Sequence, residues 1–147
     1  MAITCTRRLE WDAMHRVPGH EGRCKAFHGH RYVAEITCVA PHLDGLGRVI
    51  DFGVLKTLVG KWIDDTWDHT AILMRTDPDP AVRGIIEANN RHGRPAYLMD
   101  GPPTAENIAA ELAKASQHLL QGTQVTLVMV RIWETPNSSA TWTPDKR

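Results

Sequence analysis

The sequence predicts an α+β fold: an antiparallel four-stranded sheet with two main helices on one face, in the order ββααββ. Apolar and polar residues alternate in two segments near the start of the chain, as in strands covered on one side, and a run of strong β-formers lies near its end. Between them, two segments repeat apolar residues at helical spacing, which is the pattern of helices laid on a sheet. The 147 residues are enough for one core, and no repeat, linker or low-complexity segment divides them, so residues 1–147 read as a single domain.

The first strand covers Ile3 to Trp11. Ile3, Cys5, Leu9 and Trp11 share one parity, Thr4, Thr6, Arg8 and Glu10 the other, and Arg7 breaks the apolar set, marking an edge or an interface. Val17 to Lys25, with Pro18, Gly19 and Gly22, is a loop. The second strand spans Gly29 to Ala40, with Tyr32, Ala34, Ile36 and Cys38 opposite Arg31, Glu35 and Thr37. Asp51 caps the first helix, whose stripe is Phe52, Leu55, Leu58, Val59, Trp62 and Ile63 and which fades near Thr66.

Arg75 to Pro103 carries weaker signals: a short helix started by Asp79-Pro80 and running through Ile86, a loop over 89–94, and a short extended piece over 95–100. Thr104 caps the second main helix, with Ile108, Leu112, Ala115 and Leu119 on one stripe and Gly122 just past its end. Gln124 to Trp133 is rich in β-formers, and Ala140 to Thr143 is a short final strand after a turn at Thr135-Pro136-Asn137.

Seventeen basic and seventeen acidic residues cancel, which gives no sign of a nucleic-acid or anionic-membrane partner. No apolar run approaches the roughly 20 residues that span a bilayer, and the first ten residues lack the apolar core of a signal peptide. A cytoplasmic protein is expected. Cys5, Cys24 and Cys38 are too few and too irregular for a disulfide framework. Cys5 and Cys38 sit on apolar strand parities and read as small buried hydrophobes.

The densest chemical signal is Cys24-Lys25-Ala26-Phe27-His28-Gly29-His30. Residues two apart in an extended chain point the same way, so His28 and His30 can aim at one point, and His15 at the end of the first strand can supply a third nitrogen. Three neutral ligands and an open fourth position are the catalytic form of zinc binding. An H-x-H pair alone is a weak signal; the third histidine and the nearby cysteine strengthen it. Cys24, between Arg23 and Lys25, has the flanking positive charge that favours a thiolate.

Asp68-His69 is either a helix-end pair or a carboxylate that orients an imidazole for proton transfer. Glu106 lies two residues after Thr104, one short of the capping-box position, so it serves the helix dipole or faces a ligand. Glu134 ends an apolar strand, either as a solvated charge or as an acceptor of paired hydrogen bonds from an amino-heterocycle.

Together and in this order, several segments resemble the 6-pyruvoyl-tetrahydropterin synthase superfamily, and within it the bacterial 6-carboxy-tetrahydropterin synthases of queuosine biosynthesis. They are Trp11 to His15, Cys24 to His30, Val49 to Phe52, Asp68-His69, Pro103 to Asn107 and Trp133 to Thr135. The resemblance implies the tunnelling fold and a homo-oligomer, commonly a hexamer built from two trimers, with active sites at subunit interfaces. It implies Zn2+ held by His15, His28 and His30, Cys24 as catalytic base, and Asp68 and His69 as the rest of the proton-transfer machinery. Glu134 would anchor the pterin ring, with Thr104 and Glu106 near the substrate.

The implied substrate is 7,8-dihydroneopterin triphosphate, and the implied products are 6-carboxy-5,6,7,8-tetrahydropterin, acetaldehyde and triphosphate. Three residues separate Cys24 from His28, as in the carboxy branch; the pyruvoyl branch typically has a longer gap. Trp11, Met14 and Trp67 depart from the family's usual residues, and Thr76 to Pro102 is longer than usual. The alternatives are a pyruvoyl-type synthase that only eliminates triphosphate, a non-catalytic zinc- or pterin-binding relative, and a structural zinc protein closed by Cys24. For the triphosphate, Arg16, Arg23, Lys25 and Arg31 are all candidates.

Overall fold

Strand β1 (Thr4–His15) and strand β2 (His28–Val39) pair antiparallel over their whole lengths in the structure, a computed structural model that describes residues 3–145. Strand β5 (Thr126–Thr135) adds antiparallel to β2, and β6 (Ser138–Trp142) to β5. These are the four strands the sequence predicts, two from alternation, one from its β-formers and one after a turn. The expected four-stranded antiparallel sheet is nevertheless incomplete. Strand β3 (Thr70–Met74) joins the other side of β1 in parallel, and β4 (Tyr97–Met99) joins β3 in parallel, giving a six-stranded mixed sheet in the order β4-β3-β1-β2-β5-β6.

The helical layer on the main face begins with a continuous stretch. Helix α1 (Phe52–Leu55) passes through a π-helical turn, Lys56–Gly60, into α2 (Lys61–Thr66). Asp51 caps it, its Oδ1 accepting the Gly53 N–H at 2.7 Å. At the widened turn Gly60 lies against Leu9: a Cβ there would sit 3.2 Å from the Leu9 Cδ2. Helix α4 (Ala105–Leu119) is capped by the Thr104 hydroxyl, which accepts from the Asn107 N–H at 3.2 Å. Gly122 beyond its end has φ +87°, a conformation that favours glycine.

A third helix, α3 (Ala81–Arg91), extends further than the predicted short helix and takes in part of the expected 89–94 loop. The Asp79 carboxylate starts it by accepting from the Ala81 N–H at 2.9 Å. Its Val82 packs with Ala71 and Leu73 of β3, together with Met14 and Phe27, in a cluster separate from the main core. Ile72, of opposite parity, belongs to the main core. Helix α3 therefore covers the face of β3 opposite to α2 and α4, and the helices are not confined to one face as expected. This also explains why β3 escaped detection: a parallel strand covered on both sides shows a continuous apolar run, Ala71-Ile72-Leu73, and no alternation.

The main core lies between the sheet and α1, α2 and α4. Leu9, Trp11, Tyr32, Ile36, Leu55, Ile63, Trp67, Ile108, Leu112, Val130 and Ile132 are buried in it. Trp11 stacks on Tyr32 with centroids 5.2 Å apart, and Trp67 tilts against Trp11 at 5.4 Å. Among the described residues, no helix is long and apolar enough to cross a membrane. All three cysteines are free thiols. Cys38 is buried, as expected, and burial pushes its thiol up to about 12.

Candidate metal centre and adjoining cavity

Strand register alone assembles the three histidines. In the β1–β2 pair His15 lies opposite His28 and Ala13 opposite His30. All four residues lie on the core side of the sheet, where Trp11 and Tyr32 continue the row. The imidazoles meet at the end of that row. One nitrogen from each lies within 4.8 Å of the others. His15 is fully buried, and the His30 side chain is 17% exposed.

Hydrogen bonds fix which nitrogens face inward. His15 Nδ1 lies 2.8 Å from the Pro103 carbonyl and His28 Nδ1 2.7 Å from the Ala26 carbonyl. A carbonyl only accepts, so both Nδ1 atoms carry the proton and both neutral rings present an Nε2 lone pair. Those two Nε2 atoms are 3.0 Å apart. Facing lone pairs at that distance repel unless a cation or a proton lies between them. Burial, with repulsion from His28 and His30, pushes His15 down to about 4 against the pull of the Pro103 carbonyl, so His15 is a poor holder of such a proton.

His30 Nε2 is buried and completes no hydrogen bond among the described residues, although Glu134 Oε1 is 3.4 Å away. Burial lowers the basicity of His30 too; Glu134 opposes this and His28 reinforces it. Three converging imidazoles, two of them oriented by backbone carbonyls, form a donor set suited to a divalent metal ion.

Beside this triad is a cavity of about 240 Å³. It brings together Cys24, from a short 3₁₀ turn (Arg23–Lys25), Thr104 and Glu106 at the start of α4, and Glu134. Glu134 lies where the β5–β6 register shifts, between Trp133 and Thr135. Such a bulge re-aims a side chain at a sheet edge.

Sequence reasoning missed three further polar wall residues, His20, Ser138 and Ser139. The Gly22 N–H donates to His20 Nδ1 at 2.8 Å, which leaves the His20 proton on Nε2. Its only signal in the sequence was a histidine in a glycine-containing loop near Cys24. The strand parity of Tyr32 marks it only as a core residue. Its hydroxyl is buried and unpartnered among the described residues, and its ring meets those of His15 and His30 edge-on at 5.7 and 5.4 Å.

Asp68 and His69 are elsewhere. They do not line the Cys24 cavity; His69 borders a larger one of about 570 Å³ with His30 and with Asp12, Met14 and Arg31, the last three of strand parity opposite to that of His15 and Tyr32. His69 Nδ1 is 2.8 Å from Asp68 Oδ2, and its side chain is 70% exposed. Its φ of +57° is the only positive value at a non-glycine residue among the described residues, held by its N–H donating to the Asp12 carbonyl at 2.7 Å. Burial raises the Asp68 carboxyl, but bonds from the Asp12 N–H and His69, with the Arg94 charge, bring it below the usual carboxylate value.

Two of the four candidate cations are already engaged. Arg16 is bound to Asp77 and Asp79, and Arg31 to Glu10 and Asp12. Arg23 and Lys25 are exposed and make no ion pair among the described residues.

The fold and site define an α+β chain in which three imidazoles able to hold a metal ion lie near a cavity lined by a cysteine and two glutamates. Residues 4–145 match the family described as 6-pyruvoyl tetrahydropterin synthase, and the chain belongs to that family. It is 43% identical over 136 residues to the 6-carboxy-5,6,7,8-tetrahydropterin synthase of Rickettsia felis, covering 92% of this chain and 96% of that one. Its fold matches an uncharacterised protein of Wolinella succinogenes with a TM-score of 0.83 at 19% identity, covering 99% of both chains. The 6-pyruvoyl tetrahydropterin synthase of Caenorhabditis elegans matches with a TM-score of 0.70 at 21% identity, over 99% of this chain and 97% of that one.

Proposed function

We propose that this chain is a zinc-dependent 6-carboxy-5,6,7,8-tetrahydropterin synthase. It converts 7,8-dihydroneopterin triphosphate to 6-carboxy-5,6,7,8-tetrahydropterin, acetaldehyde and triphosphate, an early step towards queuosine or related deazapurines in the cytoplasm. The observation that carries this reading is the placement of Cys24 and Glu134 in one cavity beside the three inward-facing imidazoles. Similarity to relatives of that name supports it.

His15, His28 and His30 would hold the zinc, which when bound supplies Lewis acidity towards the substrate's side-chain oxygens. The chain's own groups do the rest. Glu134 accepts hydrogen bonds from the amino group and ring nitrogen of the pterin, which fixes the ring so that its side chain points at the triad. Cys24 takes a proton from the side chain. Thr104 and Glu106, in the cavity wall, border the substrate.

His69, oriented by Asp68, handles protons on the other side. Within one chain it is outside the Cys24 cavity, and its exposure suits delivery to a site on a neighbouring subunit. Arg23 and Lys25, flanking Cys24 and unpaired among the described residues, are the cations available for triphosphate.

Product analysis tests the reading. The zinc-loaded protein is incubated with 7,8-dihydroneopterin triphosphate, acetaldehyde is assayed and the pterin is identified by mass spectrometry. Acetaldehyde together with the 6-carboxy product is expected. Triphosphate release with a retained three-carbon side chain would assign the pyruvoyl-type reaction instead, and pterin binding without turnover would make the chain a binding protein.

A further inference from the structure

Arg16 directly follows the buried ligand His15, yet its side chain turns away from the triad. Its Nε and Nη2 form a fork onto the two oxygens of Asp77, at 2.7 and 3.0 Å. The Asp77 side chain is fully buried and that of Arg16 only 12% exposed. Nη1 donates to the Lys25 carbonyl at 2.9 Å and to Asp79 Oδ2 at 3.3 Å. The guanidinium lies over the Phe27 ring, 5.6 Å from its centroid. Asp77 also accepts from the Asp79 N–H at 2.9 Å, so its carboxylate is fixed from both sides.

The bond to the Lys25 carbonyl gives this cluster its consequence, because Lys25 closes the 3₁₀ turn that holds Cys24. The same turn is tied a second time by Val17, whose N–H donates to the Cys24 carbonyl at 2.8 Å. Between His15 and His28 the chain has no other long element to hold it, and Cys24, Lys25 and Ala26 are only partly covered or exposed. Arg16 thus joins three parts: the end of β1, the turn carrying the thiol, and the Asp77–Asp79 segment that starts α3.

We infer that Arg16 is a positioning residue that locks the Cys24 turn to the α3 segment through Asp77, and that it does not contact the substrate. Its N–H groups are spent on Asp77, Asp79 and Lys25, which leaves little for a phosphate. A guanidinium fork fits this task and a lysine does not, since one ammonium cannot hold a bidentate carboxylate and a carbonyl in fixed directions. The Asp77–Asp79 segment then has a role at the site without touching it.

The inference rests on the reading of Cys24 as the acting base, so the test has readouts that do not depend on turnover. Arg16→Lys is compared with the intact zinc-loaded protein by amide hydrogen exchange, by the rate of Cys24 alkylation measured on its peptide, and by steady-state kinetics. The Val17 amide should exchange about tenfold faster or more while Ile36 in β2 is unchanged, as local loosening requires. Cys24 alkylation should rise at least about threefold as the turn opens. With bound zinc retained, kcat should fall about 10- to 100-fold with little change in KM, as for a displaced catalytic group.

Unchanged exchange and alkylation would overturn the inference, whatever the activity. A raised KM with unchanged kcat would also overturn it, since that is the mark of a substrate ligand. If Arg16→Lys does not fold, the neutral pair Arg16→Gln with Asp77→Asn removes the buried charges together, and the exchange and alkylation comparisons are made on it. If the intact protein shows no turnover, those two measurements still decide.

Discussion

Gly29 stands between two candidate ligands, and its missing side chain is a condition of their geometry. A Cβ at this position would lie 3.1 Å from the Ala13 carbonyl oxygen. That oxygen belongs to the backbone of β1, where Ala13 pairs with His30, so it cannot retreat without opening the strand pair that sets His15 against His28. Gly29→Ala should destabilise the fold by about 1–3 kcal/mol and weaken metal affinity by roughly tenfold. Calorimetry on metal-free protein and zinc titration measure the two effects; unaltered affinity would show that the triad tolerates a spread strand pair. The triad and the thiol should also separate cleanly. His28→Ala should lose stoichiometric zinc. Cys24→Ala should keep it and lose about 10²- to 10⁴-fold in turnover, the usual worth of a general base. Metal analysis beside single-turnover assays distinguishes them, and an active, zinc-loaded Cys24→Ala protein would remove the thiol from the mechanism.

At the scale of elements, Asp68 shows how a junction is held. Its Oδ1 accepts the Asp12 N–H at 3.1 Å, while the Trp67 and Asp68 N–H groups return to the Ile63 carbonyl at 2.8 and 2.9 Å. The end of α2 is thereby pinned to β1 where the chain enters β3. Because the Asp68 carboxyl lies below its ordinary value when folded, the unfolded chain takes up its proton first as pH falls. Its stabilisation is present above the ordinary carboxylate value near pH 4 and is lost as pH drops through the folded value. Asp68→Asn should lower the urea midpoint at pH 7 and flatten its decline below about pH 4. Parallel declines for the two proteins would count against the junction.

The elements also explain what the sequence could disclose. β1 and β2 alternate and β5 is rich in β-formers, so their existence was legible, and α4 announced both its ends through Thr104 and Gly122. β3, covered on both sides, and β4, three residues long, have no period to detect. The pairing of His15 with His28 follows from a β1 that runs four residues beyond the expected end at Trp11, so the H-x-H spacing pointed to the triad while its register did not. His20 and Tyr32 stayed hidden because a loop histidine and a core tyrosine are ordinary until a cavity or a metal pocket is placed beside them.

For the whole molecule, the separation of Cys24 from His69 bears directly on the proposed assembly. One chain holds the three imidazoles, Cys24 and Glu134 together, and presents the Asp68–His69 pair outward beside a different cavity. If the working site forms between subunits, each chain gives its thiol to one site and its His69 to another. Cys24→Ala and His69→Ala should each be inactive alone. Dissociated, mixed in equal amounts and reassembled, they form oligomers in which some interfaces receive Cys24 from one variant and His69 from the other. Random assortment gives both intact groups at about a quarter of the sites, so activity should recover to roughly that fraction of the unaltered protein. Light scattering on the mixture verifies that reassembly occurred. Recovery to that level assigns the thiol and the imidazole of one site to different chains. Reassembled oligomers no more active than the sum of the separate variants would mean that each chain must bring its own Cys24 and His69 together, by a rearrangement large enough to carry His69 across the sheet.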